Sequence, residues 1–129
     1  MSVCLDSWAV LAWLDGEEPA ASAVQSAFEA ERPWMNWLNL GEVAYVLERR
    51  HGSDEAALVV RQLRGALALD EVTPARVLAA AHLKADHPIA FSDCFAAATA
   101  VAYDATLFTG DPELLDRDLG CRARDLRPR

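Results

Sequence analysis

Four carboxylates in this 129-residue chain stand where side chains can do chemistry: Asp6, Glu42, Asp93 and Asp111. Asp6 follows a short apolar run, and Glu42 opens onto Val43, Val46 and Leu47. Asp93 heads the small-residue stretch CFAAATAVA, and Asp111 follows LFTG and precedes Pro112. Carboxylates brought into one pocket repel one another and raise each other's pKa values. An all-oxygen donor set suits hard cations such as Mg²⁺ or Mn²⁺, which bind through a few carboxylates and keep waters for substrate phosphates. Ser7 and Thr109 add hydroxyls beside Asp6 and Asp111. Metal-assisted phosphodiester hydrolysis is the chemistry such a site offers.

Each acid also has a purely structural reading. Asn39-x-x-Glu42 fits a capping box, and Ser92 with Asp93 fits a capped first helical turn favoured by the macrodipole. Asp111-Pro112 fits an N-cap followed by proline at the first helical position, and Asp6-Ser7 fits a strand-to-helix cap. The acids gain force together, because the expected elements bring them to one edge.

Short apolar runs at 3–5, 33–38, 69–72, 105–109 and 121–126 read as strands, the last at an edge. Between them, helical spacing predicts helices over 8–14, 20–30, 39–50, 56–67, 73–84, 92–103 and 111–119. Leu58, Val59, Leu63 and Leu67 form the expected buried face of the fourth. Strands alternating with helices imply an α/β domain: three layers, α/β/α, around a central parallel sheet of about five strands. Ligands in such sheets bind beyond the carboxyl ends of the strands. Asp6 and Asp111 lie at that edge, and helices opening near Glu42 and Asp93 point their N-termini toward it.

The length fits one domain, residues 1–129. No apolar run approaches the ~20 residues of a membrane span, and the N-terminus lacks a basic leader, so a cytoplasmic protein is expected. Cys4, Cys94 and Cys121 are too scattered for a disulfide framework or a metal knuckle and read as reduced thiols. A formal net charge of −8 opposes nucleic-acid binding, unless bound cations invert the local field.

The segments LDSWAVLAWL, NLGEVAYVL and FSDCFAAATAVAYDATLFTGDPEL, in that order and at that spacing, resemble PIN-domain ribonucleases, in particular the VapC toxins of bacterial toxin-antitoxin pairs. The resemblance spans nearly the whole chain, although residues 15–33 carry no diagnostic match. It implies a five-stranded parallel sheet, usually in a homodimer, with the family's acidic quartet on Asp6, Glu42, Asp93 and Asp111 and its Ser/Thr positions on Ser7 and Thr109. It further implies Mg²⁺- or Mn²⁺-dependent hydrolysis of RNA to a 5′-phosphate and a 3′-hydroxyl. A VapB-like antitoxin, whose C-terminal segment wraps the toxin, would hold that activity off.

Two other readings use the same residues. Asp6 as a phosphoryl acceptor, in a phosphatase or receiver-like domain, wants a strand-end lysine, whereas Lys84 falls on an expected helix. A non-catalytic module gripping a basic peptide in an acidic groove would show no metal-dependent cleavage. Arg49, Arg50, Arg61, Arg64 and Lys84 read as a solvated face rather than phosphate contacts. Trp8, Trp13, Trp34 and Trp37 read as core or dimer packing in preference to base stacking.

Overall fold

The computed structural model describes residues 2–129. From β1 (Val3–Leu5) the chain enters α1 (Ser7–Leu14) and α2 (Ala20–Ala30), then β2 (Trp34–Asn36), α3 (Trp37–His51), α4 (Ser53–Ala66) and β3 (Ala68–Asp70). It continues through α5 (Pro74–Asp86), α6 (Phe91–Ala102), β4 (Thr106–Thr109), α7 (Pro112–Leu115) and β5 (Ala123–Asp125). All strand pairings are parallel, in the order β3-β2-β1-β4-β5. This is the three-layer α/β/α architecture that the alternating pattern implies.

Neighbouring residues of each central strand serve opposite faces of the sheet. Leu5, Met35 and Phe108 join a core with α1, α2, α3 and α4, including Val10, Val24, Leu40, Val43 and Leu63. Cys4 and Leu107 join a second core with α5, α6 and α7, including Ala80, Phe95, Ala97 and Leu114. The small residues of α6 are buried almost without break from Cys94 to Ala100. Alanine there lets the helix lie close against the sheet. The thiols follow the same packing: Cys4 and Cys94 are buried, Cys121 is half-buried, and all three are free.

Helix boundaries differ from expectation where side chains do unexpected work. α3 starts at Trp37, capped by Asn36, whose side chain accepts the Leu38 amide at 2.8 Å. Asn39 therefore lies inside the helix and is no cap, so the expected capping box with Glu42 is absent. Ser92 is likewise inside α6, whose N-cap residue Ala90 supplies no side-chain bond. α7 is a single turn rather than a helix to 119. Leu58 is exposed, so the buried face of α4 turns on Ala56, Leu63 and the partly buried Val59 and Val60.

β3 is shorter than expected and ends on Asp70, whose charge has a tertiary explanation. Buried Asp70 accepts bonds from Asn36 (2.9 Å), Arg76 (2.7 and 3.1 Å), Thr99 (3.2 Å) and Tyr103 (2.7 Å). Burial opposes its charge, yet the bonds from Arg76, Tyr103 and Asn36 hold its carboxyl below the ordinary range. Stacking of Tyr103 on Trp34, with centroids 3.6 Å apart, closes this cluster.

Candidate metal centre

In the sheet order, β2 and β3 extend to one side of β1, while β4 and β5 extend to the other. The strand order therefore reverses between the parallel neighbours β1 and β4, and the crevice beyond their carboxyl ends is where such sheets bind ligands. Asp6 follows β1 and caps α1, its Oδ1 accepting the Ala9 amide at 2.8 Å. Its Oδ2 accepts the hydroxyl of Thr109, the last residue of β4. The same hydroxyl oxygen accepts the Asp111 amide at 3.0 Å. Asp111 in turn caps α7, its Oδ1 accepting the Glu113 amide at 2.9 Å. One threonine hydroxyl thus fixes two acids that are distant in sequence.

Gly110 makes this join possible. A Cβ there would stand 2.2 Å from Cζ2 of Trp8, far inside contact distance. The indole of α1 therefore lies against bare backbone of the β4–α7 turn. The contact holds the start of α1 and the Thr109–Asp111 turn at one separation.

Glu42 arrives from α3. Its Oε1 accepts the Ser7 hydroxyl at 3.1 Å and Asn39 Nδ2 at 3.3 Å. Asn39 Nδ2 also donates to the Ser92 carbonyl at 3.0 Å, tying α3 to the first turn of α6 beside Asp93. Asn39 is buried, and its Oδ1 has no hydrogen-bond partner among the described residues. Asp93 itself lies in the first turn of α6.

Asp93, Asp111 and Glu113 each place a carboxylate oxygen within 4.8 Å of the others. Glu113 is the acid that sequence reasoning missed. Its signal was the spacing Asp111-Pro-Glu113, which puts a cap and a second acid in one helical turn. Its Oε2 also accepts the amide of Ala90, at the entrance to α6, at 3.5 Å. Asp116 and Asp104 are not part of this group: Asp116 closes α7, and Asp104 is a turn residue at φ 49 paired with Arg122.

The electrostatics are those of carboxylates crowded without a counter-charge. Burial pushes Asp6 up to about 7, against the bonds from Thr109 and Ala9, with Asp111 and Glu42 adding repulsion. Asp93 is pushed up to about 8 by burial and by Asp111 and Glu113 beside it, with a smaller push from Asp6. Among the described residues the ion pairs join Arg50–Asp15, Arg76–Asp70, Arg122–Asp104 and Arg127–Asp125, and none involves these five acids. An all-oxygen group lacking any lysine or arginine partner fits a divalent cation better than it fits a structural ion-pair network.

Comparison with known proteins gives this geometry a family. The PIN domain profile matches residues 3–118. The chain belongs to the PIN-domain family. No curated protein matches it significantly in sequence. Solved structures are similar to this PIN domain in fold at low identity. One chain of VapBC2 from Rickettsia felis, bound to a promoter DNA fragment, aligns at 14% identity over 97% of this chain and 98% of that one, with a TM-score of 0.77. A chain of DNA-bound VapBC from Salmonella typhimurium aligns at 16% identity, with coverage of 98% and 99% and a TM-score of 0.78. VapC20 from Mycobacterium tuberculosis, a toxin that cleaves the Sarcin-Ricin loop, aligns at 16% identity, with coverage of 89% and 94% and a TM-score of 0.73. Among the described residues of this PIN domain, no helix is long and apolar enough to cross a membrane.

Proposed function

We propose that this PIN domain is the toxin of a toxin-antitoxin pair: a cytoplasmic, metal-dependent endoribonuclease held inactive by a VapB-like antitoxin. The observation supporting this reading is the group Asp93, Asp111 and Glu113, with Asp6 tied to Asp111 through Thr109 and Glu42 held by Ser7 and Asn39, and with no ion pair to any of these acids among the described residues. The similarity to chains of VapBC complexes supports the antitoxin partner, and a homodimer accompanies that reading.

In the proposed mechanism the carboxylates of Asp6, Glu42, Asp93 and Asp111, with Glu113 beside them, would hold Mg²⁺ or Mn²⁺. The bound ion supplies activation of water and neutralisation of charge on the phosphodiester. The remaining work belongs to the chain. Thr109 fixes Asp6, Ser7 and Asn39 orient Glu42, and the cap of α7 fixes Asp111. The N-terminal amides of α1 and α6 face the same edge and favour an incoming phosphate. In-line attack of water on phosphorus would break the P–O3′ bond, with a proton from the water passing to the leaving O3′, giving a 5′-phosphate and a 3′-hydroxyl.

A phosphoryl-acceptor role for Asp6 fits poorly. That role wants a lysine at the strand end, and Lys84 lies on α5 with its Nζ donating to the Ile89 carbonyl.

The test is cleavage of total RNA by protein freed of copurified antitoxin, in Mg²⁺ or Mn²⁺ and in EDTA, beside Asp93→Asn. Metal-dependent cleavage lost in the variant is expected. Cleavage that ignores EDTA, or that Asp93→Asn retains in full, overturns the mechanism.

A further inference from the structure

An apolar groove of about 450 Å³ runs alongside the carboxylates, lined by Trp37, Leu38, Gly41, Tyr45 and Val72 and bounded by Glu42 and Ser92. Its last two residues belong to the acidic centre: Glu42 is one of its acids, and Ser92 precedes Asp93 and is held by Asn39. The groove and the centre are therefore continuous. Tyr45, Val72 and Leu38 are 47%, 45% and 37% exposed, a concentration of apolar surface on one side of a strongly acidic protein.

Two guanidinium groups attend its rings. The Arg49 Cζ lies 5.0 Å from the centroid of Tyr45, and the Arg64 Cζ lies 5.1 Å from that of Trp37. Neither arginine forms an ion pair among the described residues. In a chain of net charge −8, the α3–α4 pair balances Arg49, Arg50, Arg61 and Arg64 against Glu42, Glu48, Asp54 and Glu55, which leaves Arg49 and Arg64 as the cations at the groove's rings. Aromatic rings set among arginines beside a phosphate-cleaving site match single-stranded nucleic acid, whose bases stack while its phosphates seek positive charge.

Gly41 adds an independent observation. It sits inside α3, where glycine is less favourable than alanine, yet a Cβ built on it meets nothing within 4 Å. No protein contact demands a glycine there. Gly41 lines the groove, and a side chain there would enter open space.

Resting on the nuclease reading, we propose that this groove is a nucleobase subsite. It takes the base of a nucleotide flanking the cleaved phosphodiester, stacked against Tyr45 and Trp37 over Gly41, with Arg49 and Arg64 drawing in the neighbouring phosphates. The subsite sets which single-stranded RNA positions reach the carboxylates.

The experiment measures binding of short single-stranded RNA with Ca²⁺ in place of the productive ion, and KM and kcat for its cleavage with Mn²⁺. Tyr45→Ala and Gly41→Leu are compared with Leu78→Ala, a control at a 69% exposed position on α5. RNAs lacking one base at a time around the cleaved bond complete the set. Both groove variants are expected to weaken RNA binding and raise KM about tenfold, the scale of one stacked base, with kcat little changed. One abasic position should cost wild type the same factor and cost Tyr45→Ala nothing further. Gly41→Ala, with a melting temperature at or above wild type, reports that α3 is intact. RNA affinity equal to that of the Leu78→Ala control overturns the subsite. So does loss of affinity for an antitoxin C-terminal peptide with RNA affinity retained, which assigns the groove to a protein. If wild-type protein cleaves no RNA, the nuclease reading falls, while the binding series still decides the groove.

Discussion

Thr109 donates its hydroxyl hydrogen to Asp6 and accepts the amide hydrogen of Asp111 with the same oxygen. This buried bridge joins the carboxyl ends of β1 and β4. Thr109→Val keeps the shape and leaves Asp6 Oδ2 and the Asp111 amide without partners. Each buried group so orphaned costs about 1–3 kcal/mol. Chemical denaturation should show a loss of that order, with RNA cleavage falling further than stability accounts for. Thr109→Ser should restore most of both, and a silent Thr109→Val would remove the bridge from the account.

Asp6 makes the metal-free protein sensitive to pH. Its carboxyl is raised from 3.8 to about 7, so it stays protonated in the native state where the unfolded chain has ionised. The native state binds the extra proton, and stability falls as pH rises from about 4 through 7. A shift of about 3 units corresponds to about 4 kcal/mol as an upper bound. Asp93, raised to about 8, acts in the same direction over a window reaching a unit higher. In EDTA, Asp6→Asn should therefore be more stable than wild type at pH 8 and close to it at pH 4, while its nuclease activity is lost. Thermal melts across pH check the sign, and a variant less stable at pH 8 contradicts it.

Divalent cations should reverse that pH dependence. An ion that binds only the folded chain stabilises it by about 2.7 kcal/mol at a concentration one hundred times its Kd. Mn²⁺ or Mg²⁺ should raise the melting temperature more at pH 8 than at pH 5, because protons compete for the same oxygens. Asp93→Asn should blunt this rise. Glu113→Gln distinguishes a direct contributor from a neighbour: a right-shifted Mn²⁺ titration marks Glu113 as part of the centre, and an unchanged one excludes it.

The Trp8–Gly110 contact predicts a steric failure with a specific remedy. Gly110→Ala drives a methyl group to 2.2 Å from the indole, and overpacking of this kind costs about 1–3 kcal/mol. Activity should fall as well, since the contact sets the Asp6–Asp111 separation. Replacing Trp8 with Leu in the same chain should recover stability, giving a favourable coupling in a double-mutant cycle. Additive losses would show that the ring and the turn are independent.

Much of this was legible in the sequence, and the rest has identifiable physical causes. Short strands alternating with helices dictate a parallel sheet, and strand-end acids then share an edge because every strand runs the same way. That reasoning brought Asp6 and Asp111 to one side before any contact was known. It placed the start of α3 at Asn39, because residues 33–38 read as a strand, whereas Asn36 is the cap. Only packing decides that Asn39 is buried and spent on Glu42 and Ser92. The role of Asp70 was hidden for the same reason: its partners Asn36, Thr99 and Tyr103 are far away in sequence.

By itself, then, the sequence determined the class of fold, the edge where chemistry gathers and the oxygen character of its donors. These follow from hydrophobic period and residue type, which are local. Tertiary structure alone decided that Glu113 joins Asp93 and Asp111, that one threonine hydroxyl spans β1 and β4, and that a groove floored by Gly41 opens beside Glu42. Those facts depend on distances between elements, and such distances are fixed by how helices and sheet pack, not by the order of residues along any one of them.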